Sequence, residues 1–146
     1  MDFFTAMDIS ASALTAERTR MNLISSNLAN VNSTRTAEGG PYRRKDAVFT
    51  ATPLKDGANS FGAALSRASD ARSVAVTGIS EDTRPPRLQY EPGHPDADPQ
   101  GYVAYPNVNV VEEMADMITA SRSYEANITA TQAAKSMALK TLELMR

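Results

Sequence analysis

The sequence predicts an α+β chain: two long terminal helices packed as a coiled-coil-like pair, with a small loop-rich β insert between them. Two observations carry this. Apolar residues recur at heptad spacing at both ends of the 146-residue chain, and no Gly or Pro occurs after Pro106. The middle is different in kind, with six of the eight prolines between Arg84 and Pro106. Heptad recurrence fits a narrow helical seam, whereas clustered proline excludes long regular elements.

The first helical zone runs from about Asp2 to Asn32. Met7, Leu14, Met21 and Leu28 recur every seven residues, and Phe3, Ile24 and Val31 occupy the companion positions of the same heptads. Ser10 and Glu17 interrupt that second row. A helix of this length spans about 45 Å. Asp2 is a suitable N-cap, and Asn30 and Asn32 are suitable stops, because Asn tolerates the left-handed conformation at a helix end.

Gly39-Gly40-Pro41 turns the chain out of this zone. Ala47 to Ala51 and Ser73 to Ile79 read as strands, the second rich in β-branched residues. Asp56 to Asp70, rich in Gly, Ala, Ser and Asn, reads as a loop, and Tyr102 to Tyr105 as one short strand.

The last zone runs from about Asn109 to Arg146. Asn109 followed by Val110-Val111-Glu112 resembles a capping box. Glu112, Glu113 and Asp116 lie early and Lys135, Lys140 and Arg146 late, which suits the helix dipole. Met114, Met117, Tyr124, Ile128, Ala138, Leu142 and Met145 form a second seam, weakened by Ser121, Thr131 and Lys135. Such a helix is about 55 Å long. Neither seam is wide enough for burial on all sides, so each needs a partner helix, and the other terminal helix is the simplest one. The remaining surface would face other chains. The expected division is 1–36, 37–106 and 107–146.

Composition removes several classes of function. Fifteen basic and 17 acidic residues give a net charge of −2, which offers nucleic acid no basic face. No cysteine is present, so thiolate metal sites and Cys nucleophiles are absent. The opening Met1-Asp2-Phe3-Phe4 lacks a basic segment followed by an apolar run. No stretch approaches the roughly 18 apolar residues of a membrane helix. The expectation is a soluble chain that inserts into no membrane and does not use the general secretory route.

Glu91, His94, Asp96 and Asp98 could in principle ligate a metal. Pro92, Pro95 and Pro99 instead make the segment a directed turn with solvated carboxylates. His94 is the only histidine, and neither a nucleophile elbow nor a phosphate loop accompanies it. We expect no catalytic residue, no cofactor and no metal site. Arg43-Arg44-Lys45 reads as a solvated basic turn, or else as a contact to an acidic patch on a neighbouring subunit.

Ser25-Ser26-Asn27-Leu28-Ala29-Asn30-Val31-Asn32 is the most specific stretch. Asn is a poor interior helix residue, because its side chain competes for backbone hydrogen bonds. Amides here either cap a frayed terminus or fix the register of neighbouring helices. A small-residue pair followed by Asn-apolar-Ala-Asn at the end of an N-terminal helix resembles the flagellar basal-body rod and hook family. Further likeness lies in Gly39 to Lys45, Tyr90 to Asp98, Gly101 to Asn109, Glu112-Glu113-Met114 and Ser121 to Asn127. It covers nearly the whole chain, and is weakest from Asp56 to Asp70 and from Glu81 to Leu88.

The resemblance, strongest to the proximal-rod members, implies a structural subunit, not an enzyme. It implies polymerisation through the terminal helices into the hollow shaft that passes torque from motor to hook. Expected partners are copies of itself, other rod proteins, the adaptor at the rod base and the flagellar type III export apparatus. For the last, Phe3 and Met7 have the spacing of an export signal. The expected location is the periplasm-spanning basal body, reached without a cleaved signal peptide. The expected assembly residues are Met7, Leu14, Met21, Ile24, Asn27, Leu28, Asn30, Val31, Met114, Met117, Tyr124, Ile128, Leu142 and Met145. The rivals are another axial subunit, which would usually have a longer middle, and a soluble helical adaptor or chaperone.

Overall fold

The computed structural model of the chain describes residues 3–53 and 71–144. The expected N-cap Asp2, the expected loop Asp56 to Asp70 and the seam residue Met145 lie outside them. Six elements follow in order: α1 (Phe3–Ala29), β1 (Lys45–Pro53), β2 (Arg72–Glu81), β3 (Arg87–Tyr90), β4 (Tyr102–Tyr105) and α2 (Val110–Leu144).

Hydroxyl residues sit inside both helices without breaking them. Ser12, Thr15 and Thr19 in α1, and Thr119, Thr129, Thr131 and Thr141 in α2, each donate to a carbonyl three or four residues back. Their polar groups are thereby satisfied within the helix. α1 stops at Ala29, where the Asn30 side chain turns back and donates from Nδ2 to the Ser26 carbonyl at 2.9 Å. Val31 and Asn32 therefore lie in the following turn rather than in the helix. α2 starts as the capping residue dictates: Asn109 Oδ1 accepts the Val111 N–H at 3.1 Å, satisfying one of the free amides of the first turn.

The helices pack along each other. The last turns of α1 meet the first turn of α2 through a hydrogen bond between Asn27 and Glu113, so the pair is antiparallel. α1 has 24 residues before Asn27 and α2 has 31 after Glu113. α2 therefore continues past Phe3 for about seven residues, roughly 10 Å.

The inward seam of α2 differs from the expected one by one residue in half of its positions. Glu113, Met117, Ala120, Tyr124, Asn127, Thr131, Ala134 and Ala138 follow alternating spacings of four and three, and all are buried or half-buried. Met117 and Tyr124 lie where the heptads placed them. The other row turns by one residue, bringing Glu113, Ala120, Asn127 and Ala134 inward. Met114 stands outward, 55% exposed, while Leu142, 65% exposed, lies in the stretch of α2 that runs past the end of α1. Small side chains let the helix axes approach, and the larger apolar groups rotate away. In α1, Ala16, Ile24 and Asn27 are the buried positions.

β1 and β2 form one antiparallel ribbon, with a bulge between Val48 and Phe49. Both contain the strand cores expected at 47–51 and 73–79. The ribbon lies along α1: the Val74 N–H donates to Ser12 Oγ at 3.1 Å, and the Arg20 guanidinium sits 5.8 Å from the Phe49 ring centroid. A Lys45–Glu81 ion pair at 3.3 Å spans its first rung.

β3 and β4 form a second, separate ribbon, with Tyr90 opposite Tyr102 and Leu88 opposite Ala104. β4 occupies the expected 102–105; β3 was not expected in a proline-rich stretch. It forms because Pro85 and Pro86 precede it and Pro92 follows it, leaving the four residues of the strand free of proline. Gly101 closes the ribbon at φ +83°, and a Cβ there would stand 2.8 Å from Tyr90 Cε2. Both facts demand glycine. No helix among the described residues is long and apolar enough to cross a membrane.

Candidate functional site

The most completely bonded polar cluster lies where α1 ends, β1 begins and α2 begins. Asn27 and Glu113 are each only 1% exposed. The Asn27 amide uses all four of its hydrogen-bonding positions. Nδ2 donates to the Lys45 carbonyl at 2.9 Å and to Glu113 Oε2 at 3.0 Å. Oδ1 accepts the Lys45 N–H at 2.9 Å and the Tyr42 hydroxyl at 2.9 Å. The side chain thus pairs with Lys45 as a strand would, while also binding the other helix.

Glu113 completes the cluster. Its Oε1 accepts from Arg44 Nε. Its place in the first turn of α2 favours the negative charge through the helix dipole. Arg44 also reaches Asp46 at 3.3 Å and Asp116 at 3.6 Å. Burial works against the charged guanidinium, but the hydrogen bond and charge of Glu113 more than offset it and hold the Arg44 proton more tightly than usual. The basic run Arg43-Arg44-Lys45 is therefore not a solvated turn throughout, a correction to the reading from sequence. Arg43 is exposed, but Arg44 finds its acids within its own chain. The chemistry on offer is positional: one amide and one ion pair fix two helices and a strand against each other.

The expected assembly residues divide by exposure. Ile24 and Asn27 are buried. Met7, Leu14, Met21, Leu28, Asn30, Val31, Met117, Tyr124 and Ile128 are half-buried, and Met114 and Leu142 are exposed. The structure gathers only Asn27 of these into the polar cluster, with Asn30 near it through Ser26. Sequence reasoning missed Tyr42, Arg44 and Glu113 as its members. Glu113 stood beside the capping Glu112, with nothing local to show which of the two turns inward.

Two carboxylates of the proline-rich turn, Glu91 and Asp96, are engaged within the chain. Glu91 accepts the Tyr105 hydroxyl at 3.0 Å, and that bond leads burial and charge in raising the Tyr105 pKa above its usual value. His94 Nδ1 accepts the Asp96 N–H at 3.1 Å, and Asp96 accepts the Thr34 hydroxyl at 2.8 Å. Among the described residues no three of His, Cys, Asp and Glu stand together as metal ligands. The cleft beside Arg44 and Arg84, about 310 Å³, is shallow and lined largely by their ion-paired side chains.

Comparison with known proteins gives this geometry its context. The family model described as flagella basal body rod protein matches residues 7–35, and that described as flagellar basal body rod FlgEFG protein C-terminal matches residues 100–144. The first contains Asn27 and the second Glu113. Flagellar basal-body rod protein FlgC of Borreliella burgdorferi is 41% identical over 153 residues, covering 100% of this chain and 99% of its own. FlgC of Bacillus subtilis is 42% identical over 153 residues, covering 99% of each. FlgC of Escherichia coli O157:H7 is 44% identical over 144 residues, covering 99% of this chain and 98% of its own.

Proposed function

Because the chain belongs to the FlgC family of flagellar basal-body rod proteins, and is thus a structural subunit of that rod, we propose that it polymerises through its terminal helices into the hollow shaft that carries torque from motor to hook. Segments 1–36 and 107–146 make the assembly contacts, and 37–106 is the insert that they carry. The partners are copies of the chain, other rod proteins, the adaptor at the rod base and the type III export apparatus. The chain reaches the periplasm-spanning rod without a cleaved signal peptide.

One observation carries the reading. α2 turns large apolar side chains outward, Val111, Met114 and Ile118 near its start and Leu139 and Leu142 near its end. A helix that exposes apolar groups on the side away from its partner has more to bury, and association supplies the means. Contacts repeated head to tail without closing give a helical tube. The soluble-adaptor alternative is not favoured, since the full-length relatives are rod proteins.

The test is to purify basal bodies, locate the chain in the rod by labelled-antibody electron microscopy, and sequence its N-terminus. The expected result is a rod location with the encoded N-terminus, Met1 removal aside. Cleavage beyond Met1, or a chain absent from the rod, contradicts the proposal.

A further inference from the structure

Among the described residues neither strand of the β1–β2 ribbon pairs with a third. In an antiparallel pair the backbone groups of successive residues point alternately toward the partner strand and away from it. Two bonds fix which way each residue of β1 points. The Asp82 N–H donates to the Arg44 carbonyl at 2.8 Å, so Lys45, opposite Glu81, turns its own N–H and carbonyl away from β2. Asp46 then points inward and Ala47 outward. Beyond the bulge, the Val74 N–H leaves the ladder for Ser12 Oγ. Its partner Ala51 therefore points outward too, and with it Phe49 and Pro53, two residues to either side. The outer edge of β1 is thus Lys45, Ala47, Phe49, Ala51 and Pro53. The opposite edge, on β2, lies against α1 at Val74.

An uncovered edge is a template for a strand of another chain. Ala47-Val48-Phe49-Thr50-Ala51 is uncharged and free of proline, with strand-forming Val, Phe and Thr at its centre, the composition that pairs strand to strand between chains. Val48 and Phe49 are 45% and 38% exposed. Yet most of the outward positions are closed. At Lys45 the Asn27 amide takes both the N–H and the carbonyl, each at 2.9 Å. At Ala47 the N–H donates to Asp46 Oδ1 at 2.9 Å. Pro53 has no N–H to give, and at an outward position the ribbon loses nothing by that. Only Phe49 and Ala51 keep an open N–H on this edge. They sit beside the bulge, which twists the strand away, and span less than the about five or six residues of an ordinary strand.

We propose that Asn27, Asp46 and Pro53 close the outer edge of β1 to extended segments of other chains, a second copy first of all. The subunit then offers no β-edge for association, whatever surfaces its assembly uses.

Reopening the edge tests this. The full-length chain carrying Asp46→Val and Pro53→Val together frees the N–H groups of residues 47 and 53 and leaves Asn27 in place. Each added ladder bond favours pairing by about fivefold. Sedimentation should therefore show association setting in at a concentration at least about tenfold below that of the parent. Amide exchange in the associated form should slow across Lys45–Pro53. Asp46→Asn keeps an acceptor for the Ala47 N–H and should match the parent. Urea unfolding checks that each variant is folded, since Asp46 also meets Arg44. Should the double variant fail to fold, Pro53→Val alone carries the test, with about a fivefold effect. Folded variants no more prone to associate than the parent overturn the proposal. So does association that protects the amides of α1 or α2 instead of β1, or Asp46→Asn associating as readily as the double variant.

Discussion

The two ends of the helix pair are built on opposite principles. Where α1 meets the start of α2, Asn27 and Glu113 are buried and bonded to groups of their own chain. At the far end α2 runs on alone, with Leu139, Leu142 and Leu144 exposed. The first end is complete in the single subunit; the second leaves its apolar groups exposed, and on our proposal a neighbour covers them. The difference separates two jobs that a heptad pattern mixes. Polar groups fix the angle between helices and insert inside one subunit. The apolar residues that repeat most visibly are left, in part, exposed.

The comparison breaks most readily at the bonded end. Glu113→Ala strips the Arg44 guanidinium of its buried partner and leaves an Asn27 donor empty. Removing one member of a buried pair costs about 3–5 kcal/mol, so urea unfolding of the purified chain should shift strongly toward lower concentrations. A shift below about 0.5 kcal/mol, the scale of ordinary surface substitutions, would mean the cluster fixes nothing.

Gly101→Ala should rank next. It forces a side chain into a positive φ and against the Tyr90 ring, at a cost of about 1–3 kcal/mol. The damage should stay local. Amide hydrogen exchange should quicken across β3 and β4 while α1 and α2 keep their protection. Equal loosening of the helices would show that the ribbon is not the separate unit its topology describes.

The smallest effect concerns acid. The Arg84 side chain, followed by its backbone N–H, holds the Asp82 carboxylate below the usual range. A depressed carboxylate contributes stability that is present above its unfolded value, near pH 4, and lost as pH falls through the folded one. Arg84 is largely solvated, so the contribution is slight. Asp82→Asn should remove this slight contribution at neutral pH and flatten the stability profile below about pH 4, where variant and parent converge. A loss that persists undiminished in acid would give Asp82 a structural role beyond this pair.

Much of the fold was legible because it follows from local chemistry. Asn109 caps α2 through Val111, Asn30 ends α1, and β-branched runs mark β1 and β2. What the sequence withheld depends on groups far apart along the chain. Glu113 and Asn27 are 86 residues apart, and only the folded pair reveals that Glu113, rather than Glu112, turns inward. The rotation of Met114 away from the seam has the same origin. Hydrophobic spacing weighs a methionine above an alanine, whereas close helix approach selects Ala120 and Ala134. β3 was hidden because prolines on both sides masked a four-residue strand whose partner begins twelve residues after it ends.

The central claim is that α2 carries contacts that belong to the assembly and not to the subunit, and Leu142 tests it most directly. Leu142→Asp places a charge where the isolated chain is already solvated, so its circular dichroism and unfolding should change by no more than about 0.5 kcal/mol. In the rod the same charge would be buried among apolar groups at a cost of several kcal/mol per interface. The paired measurement is circular dichroism of the purified variant and electron microscopy of basal bodies from cells that express it. The account predicts an unchanged helical signal and basal bodies without rods. Loss of helix in the isolated chain, or normal rods in motile cells, would contradict it.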